Sequence, residues 1–156
     1  MPVTFTKGDI APDFTLADQA GTKHTLSTYK GETIVLYFYP RDDTPGCTKQ
    51  ACGFRDNYTE VIATGTHLFG ISTDSKESHD KFREKYSLPF PLLVDNEASV
   101  STTYGAWGEK VLYGRKSIGM TQSTFIIGPD GKFQKVWKRA QAAKNPEAVL
   151  KELQST

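Results

Sequence analysis

Residues Thr33 to Cys52 read TIVLYFYPRDDTPGCTKQAC, and the order of residue types along this stretch decides the fold. Thr33 to Tyr39 is made of β-branched and aromatic residues around a single leucine, with no polar alternation. A strand buried on both faces has that composition, which places it centrally in a sheet. Pro40 to Gly46 interrupts it as a loop. From about Pro45, the positions of Ala51, Phe54, Tyr58, Val61 and Ile62 follow the 3.6-residue period and predict a helix to about Ala63. Thr44 suits its N-cap and Pro45 its first position.

Upstream, Phe14-Thr15-Leu16 and Thr25-Leu26 flank a turn at Asp18 to Gly21 and read as a short hairpin. Downstream, His67 to Ile71 is a strand. A helix is expected from about Ser75 to Tyr86, with Asp74 as N-cap, Glu77 three residues on, Phe82 and Tyr86 facing inward and Pro89 as its stop. Leu92 to Val94 is a short strand and Glu97 to Tyr104 a helix. Ser123 to Ile127 and Lys132 to Trp137 are strands joined at Pro129-Asp130-Gly131. A last helix opens with Asn145 as N-cap and Pro146 in first position, and Val149, Leu150 and Leu153 form its stripe. Strands alternating with helices, then a hairpin and a helix, indicate an α/β fold with a central mixed β-sheet flanked by helices. The 156 residues suit a single domain, 1–156, with its own core, and no repeat or linker divides it.

Nineteen Lys and Arg against eighteen Asp and Glu leave a net charge of +1, so neither a nucleic-acid surface nor an acidic tail is indicated. The longest apolar run, Ile34 to Tyr39, is too short to cross a bilayer, and Met1 to Pro12 lacks a charged-then-apolar signal pattern. A soluble, cytoplasmic protein is expected. His24, His67 and His79 are scattered without ligand spacing, which argues for structural or surface roles rather than metal binding.

Two cysteines remain, Cys47 and Cys52. A small secreted scaffold would carry more, so the pair suggests redox chemistry in a reducing compartment. Cys47 falls in the first turn of the predicted helix, just beyond the carboxyl end of the central strand, where ligand sites of open α/β sheets gather. There the N–H groups of Gly46 and Cys47 are unpaired donors and the helix dipole is positive, and both favour a thiolate. A helix N-terminus lowers a thiol pKa from about 8.5 to about 7 or below. Gly46 has no side chain, which leaves the backbone open to a small oxidant. Cys47 shares the buried stripe with Ala51 and Phe54. Cys52 lies about 140° around the helix and about 7.5 Å along it, among Arg55, Asp56 and Thr59. On an intact helix the two Cα atoms are roughly 8–9 Å apart, whereas a disulfide needs less than about 7 Å. A bond between them therefore requires the first turns to unwind. Asp42 and Asp43 oppose a thiolate if they face Cys47; Arg41 and Lys49 could offset them.

Pro40-Arg-Asp-Asp-Thr44-Pro-Gly-Cys47 resembles the peroxiredoxin signature P-x-x-x-T-x-x-C. The longer stretch from Tyr37 to Cys52 resembles the bacterioferritin comigratory protein branch, the Q-type peroxiredoxins. Gly8 to Leu16, Phe90 to Asp95 and Tyr104 to Lys110 are similar to other segments of that branch. The resemblance implies a thioredoxin-like fold and reduction of hydrogen peroxide and organic hydroperoxides without a cofactor. It implies that Cys47 is the peroxidatic cysteine and Cys52 the resolving one. It gives Thr44 a hydrogen bond to the thiolate and peroxide, and gives Pro40 the shielding of the pocket. Thioredoxin, or glutaredoxin, would be the reductant of a protein that is often monomeric. One position departs: the arginine that usually precedes the Thr124-Phe125-Ile126-Ile127 strand falls on Gln122. Either attack is slower, or another cation moves in, Arg115 and Arg139 being the candidates. Two other readings stay open: a redox sensor built on the same cysteines, and a partner-binding domain around Trp107 and Tyr113.

Overall fold

A computed structural model of the chain describes residues 4–155; Met1 to Val3 and Thr156, at the two ends of the expected 1–156 domain, lie outside the described residues. In chain order the elements are β1 (Thr15–Ala17), β2 (Lys23–Thr25), β3 (Thr33–Phe38), α1 (Pro45–Asp56), α2 (Tyr58–Ala63), β4 (Thr66–Ser72), α3 (Lys76–Lys85) and β5 (Leu92–Val94). They continue with α4 (Ser99–Thr103), β6 (Trp107–Leu112), β7 (Arg115–Met120), β8 (Ser123–Ile127), β9 (Phe133–Trp137) and α5 (Asn145–Gln154).

The main sheet has the order β5-β4-β3-β8-β9. Strands β3, β4 and β5 are parallel, while β8 runs antiparallel to β3, and β9 to β8. The apolar strand read from Thr33 onward is thus the middle of a mixed sheet. Its side chains alternate between two cores, as a pleated strand requires. Val35, Tyr37 and Tyr39 pack with Cys47, Ala51 and Phe54 of α1, Phe82 of α3 and Val149 of α5. Ile34, Leu36 and Phe38 pack on the opposite face with Phe69, Tyr104, Phe125 and Phe133.

Register explains how distant residues meet. Phe38, at the end of β3, pairs with Ser123, at the start of β8. Gln122 therefore arrives at the same end of the sheet as the loop that leads into α1. Thr124 pairs with Trp137, so the chain leaving β9 for α5 starts from that end too.

Three expectations need correction, and one element was not foreseen. The helix from Pro45 to Ala63 is two helices, because Asn57 sits outside helical geometry at φ −96° and ψ 2°. The N-cap of α3 is Ser75, whose Oγ accepts from Ser78 N, because the Asp74 carboxylate is turned to the Asp42 N–H and the Ser72 hydroxyl. The N-cap of α5 is Lys144, and Asn145 turns its side chain into the core. Finally, β6 and β7 form an antiparallel ribbon that the sequence reading did not assign. Its turn is Tyr113-Gly114, at φ 53° and 76°, the positive pair of a two-residue hairpin turn.

Candidate active site

Cys47 is 3% exposed and lies in the first turn of α1, with Pro45 ahead of it and Thr44 as N-cap. The first hydrogen bond into the helix is Thr48 N to Thr44 O at 2.8 Å, so the N–H groups of Gly46 and Cys47 precede the helical ladder as expected. Gly46 is exposed, and a Cβ there would meet only the Ala142 Cβ at 3.9 Å, so the backbone beside the sulfur is open.

The two aspartates of the loop are engaged by groups other than Cys47. Asp42 is buried, and its carboxylate accepts from the Tyr39 hydroxyl at 2.6 Å and the Ser78 hydroxyl at 2.8 Å. His79 Nδ1 lies 2.7 Å from the same carboxylate, and its Nε2 is 2.8 Å from the Leu93 carbonyl. Asp43 takes a left-handed conformation at φ 58°, which turns the chain into α1. Its carboxylate accepts from Lys85 Nζ and the Tyr86 hydroxyl, both at 2.7 Å, and the two bonds hold its pKa below the ordinary aspartate value. Both carboxylates are spent on tethering the loop to α3. Asp42, Asp74 and His79 cluster within 4.8 Å, but hydrogen bonds among themselves and their neighbours engage all three.

Gln122 is brought to the sulfur. Its Nε2 donates to Cys47 Sγ at 3.8 Å and to Gln50 Oε1 at 3.4 Å. The two candidate cations are elsewhere. Arg115 is exposed at the start of β7, and Arg139 lines a cleft with Phe5, Tyr104 and Thr121. Among the described residues, no hydrogen bond runs from a cation to Cys47. The Thr44 hydroxyl donates to the Arg41 carbonyl at 3.0 Å, closing the loop on itself rather than capping the helix, and Pro40 is exposed at the head of the loop.

Cys52 is half-buried on the same helix, and both cysteines are free thiols. The intact α1 keeps them apart, so the geometric conflict between helix and disulfide stands. The anchoring of α1 is uneven. Its first two turns bury only the small Cys47 and Ala51 beside Gln50, whereas Phe54 stacks on Tyr37 with ring centroids 4.8 Å apart. Burying a phenylalanine contributes about 1.5–3 kcal/mol, several times what an alanine methyl does. The largest apolar anchor of α1 therefore lies towards its far end.

Gln50 was missed from the sequence. It is fully buried, and its Nε2 donates to Asn145 Oδ1 at 3.2 Å. The signal was present: a polar residue three positions after Cys47 lies on the face of an otherwise apolar stripe.

A model of the AhpC/TSA family matches residues 7–136. The chain belongs to that family. Its curated relatives are peroxiredoxins: it is 40% identical over 151 residues to Peroxiredoxin Bcp of Bacillus subtilis, covering 97% of this chain and 96% of the relative. It is 42% identical over 143 residues to Peroxiredoxin Bcp of Escherichia coli, covering 92% of each. Among solved structures, a Xylella fastidiosa PrxQ mutant superposes with a TM-score of 0.91 at 31% identity over 98% of each chain. Xanthomonas campestris Peroxiredoxin Q gives 0.86 at 34% identity, over 91% of this chain and 90% of that one. The protein is thus a peroxiredoxin of the Bcp and PrxQ type with a thioredoxin-like fold, a thiol-dependent peroxidase acting on peroxides and recycled by a thiol reductant. Among the described residues of this peroxiredoxin, no helix is long and apolar enough to cross a membrane.

Proposed function

We propose that Cys47 is the attacking sulfur of this peroxidase and that Cys52 resolves it as an intramolecular disulfide. The thiolate of Cys47 attacks the terminal oxygen of a hydroperoxide. An S–O bond forms as the O–O bond breaks, the alkoxide or hydroxide leaves and takes up a proton, and Cys47 becomes a sulfenic acid. Gln122 Nε2 and the open N–H groups of Gly46 and Cys47 donate to the charge on the sulfur and on the departing oxygen. Thr44, with its proton given to Arg41, is left as an acceptor for the hydroperoxide O–H, and Pro40 screens the loop from water. The first turns of α1 then unwind, the Cys52 thiolate attacks the Cys47 sulfur, the S–S bond forms as the S–O bond breaks, and the oxygen leaves as hydroxide that takes up a proton from solvent. Thioredoxin, or glutaredoxin, returns the disulfide to two thiols.

The observation that carries this reading is the pairing of a buried Cys47 at a helix N-terminus with the Gln122 amide 3.8 Å away. The reading includes a monomer, since Cys47, Cys52, Thr44 and Gln122 all belong to one chain, and a cytoplasmic location, where two cysteines are more often redox-active than a secreted scaffold's staples. Intact-mass spectrometry during peroxide titration tests it. The unmutated protein should lose two hydrogens. Cys47→Ser should consume no hydroperoxide, and Cys52→Ser should turn over once and stop as a sulfenic acid. Steady turnover by Cys47→Ser would reject the assignment.

The uncharged Gln122 favours one further reading, a redox sensor that is oxidised slowly. Stopped-flow kinetics separate the two: a second-order constant no better than that of free cysteine assigns the sensor.

A further inference from the structure

Among the described residues Gln50 makes no hydrogen bond to the sulfur, yet both ends of its carboxamide are engaged. Oε1 accepts from Gln122 Nε2 at 3.4 Å, and Nε2 donates to Asn145 Oδ1 at 3.2 Å. Thr124 Oγ1 donates to the same Asn145 Oδ1 at 2.8 Å. Three carboxamides therefore run in series from α5 through α1 to Cys47. At the far end, Asn145 Nδ2 is buried with no hydrogen-bond partner.

A carboxamide has nearly the same outline whichever way its oxygen and nitrogen face. Reversing all three keeps every link. Asn145 Nδ2 then donates to Gln50 Oε1 and Thr124 Oγ1, Gln50 Nε2 donates to Gln122 Oε1, and Gln122 turns a carbonyl oxygen to Cys47. Reversal also gives the buried Asn145 N–H its partners, and an orphaned N–H is rarer than an under-used carbonyl. Two things oppose it: the Thr124 hydroxyl loses the acceptor for its proton, and a thiolate at Cys47 needs a donor. The choice of polarity therefore rests on Thr124 at one end and the charge on the sulfur at the other.

We propose that Gln50 and Asn145 are positioning residues that set which end of the Gln122 carboxamide meets Cys47. Its N–H faces the thiolate before attack, and its C=O accepts from the S–O–H that attack creates. An arginine at position 122 would offer donors only. The inference rests on Cys47 being the attacking sulfur. Of the titratable groups nearby, Tyr37 comes from β3, and its phenol is raised by burial first and then by Asp42, Cys47 and Cys52. Asp42 is engaged by Tyr39, Ser78 and His79. From β8 and α5 the chain of contacts contains only uncharged Thr124 and Asn145, and the segment before β8 contributes uncharged Gln122.

The test uses Cys52→Ser protein, in which Cys47 is the remaining thiol, and follows its alkylation by iodoacetamide against pH. Asn145→Leu leaves Gln50 Nε2 without an acceptor, so the remaining pair reverses. The pH of half-limiting alkylation rate should rise by about one unit, the worth of a hydrogen bond to a charged group, although residue 145 is two side chains from the sulfur. Gln122→Leu should raise it similarly, and the double variant no further, because both act through one contact. Thr124→Val keeps the shape of the side chain and should shift the midpoint the same way; it replaces Asn145→Leu throughout if that variant does not fold. Unmoved midpoints, or shifts that add in the double variant, overturn the relay and leave Cys47 in its role. A Cys52→Ser parent that consumes no hydroperoxide overturns the role of Cys47 and the relay with it.

Discussion

Gln122 offers a neutral N–H to Cys47, the sulfur proposed to attack, which must be negative to do so. A guanidinium there would add a full positive charge beside the sulfur and further donors for the departing oxygen, and about 1.4 kcal/mol at the transition state is tenfold in rate. Gln122→Arg should therefore raise the second-order rate constant with hydrogen peroxide by about tenfold. Stopped-flow fluorescence measures it, and a folded variant with an unchanged rate would remove position 122 from the attack step. At this scale the sequence was informative. Cys47 and Gly46 follow from what a helix N-terminus offers an anion, Thr44 was read there as the N-cap, and Gln122 came from the resemblance to peroxiredoxins, which usually carry an arginine at that place. The directions of Asp42 and Asp43 were not readable, because they depend on His79, Ser78, Lys85 and Tyr86, which lie on or just beyond a helix some forty residues downstream. Asn145 was misread for a related reason. Its residue type fits a cap, but a buried hydroxyl at Thr124 and a buried amide at Gln50 compete for the same side chain.

Helix α1 is held against α5 by a close approach at Gly53. A Cβ there would lie 2.7 Å from Pro146 Cγ and 3.1 Å from its Cβ. Alanine at a helix interior gains about 1 kcal/mol over glycine in propensity, but overpacking costs about 1–3 kcal/mol, and a proline ring cannot swing aside as a long side chain can. Gly53→Ala should lower the urea midpoint despite the better helix former; a midpoint at or above that of the unmutated protein would mean that α5 shifts without loss. The element read least well was the β6–β7 ribbon. Val111 is 60% exposed, Ile118 74% and Tyr113 97%, so neither face carries the apolar alternation that marks a half-buried strand. Its remaining signal was the Tyr113-Gly114 pair between two six-residue runs, and the first position of such a turn is more commonly asparagine or aspartate. The break at Asn57 was equally faint, since apolar spacing continues across it to Val61.

Across the whole molecule, the two cores each hold tyrosines whose ionisation is suppressed. Burial is the leading cause at Tyr37, Tyr39 and Tyr104, and each phenol is raised well above its ordinary value. Unfolded tyrosine ionises near pH 10, so above that pH the unfolded chain releases protons that the folded chain keeps. Stability should be fully present below about pH 10 and fall as pH rises beyond it. Urea midpoints taken at rising alkaline pH, with phenolate absorbance appearing only as the chain unfolds, check this; phenolate absorbance from these three side chains in the folded state would contradict it. Strand β3 also divides the labour of its own residues. Val35 and Tyr37, with Tyr39 just beyond the strand, support the layer that would rearrange under the proposed Cys47–Cys52 disulfide, while Ile34, Leu36 and Phe38 serve a layer that, among the described residues, contains no part of α1. A saturation library across these six codons should therefore show a two-residue rhythm: even-numbered changes lower soluble yield alone, and odd-numbered ones also alter peroxide tolerance per molecule recovered.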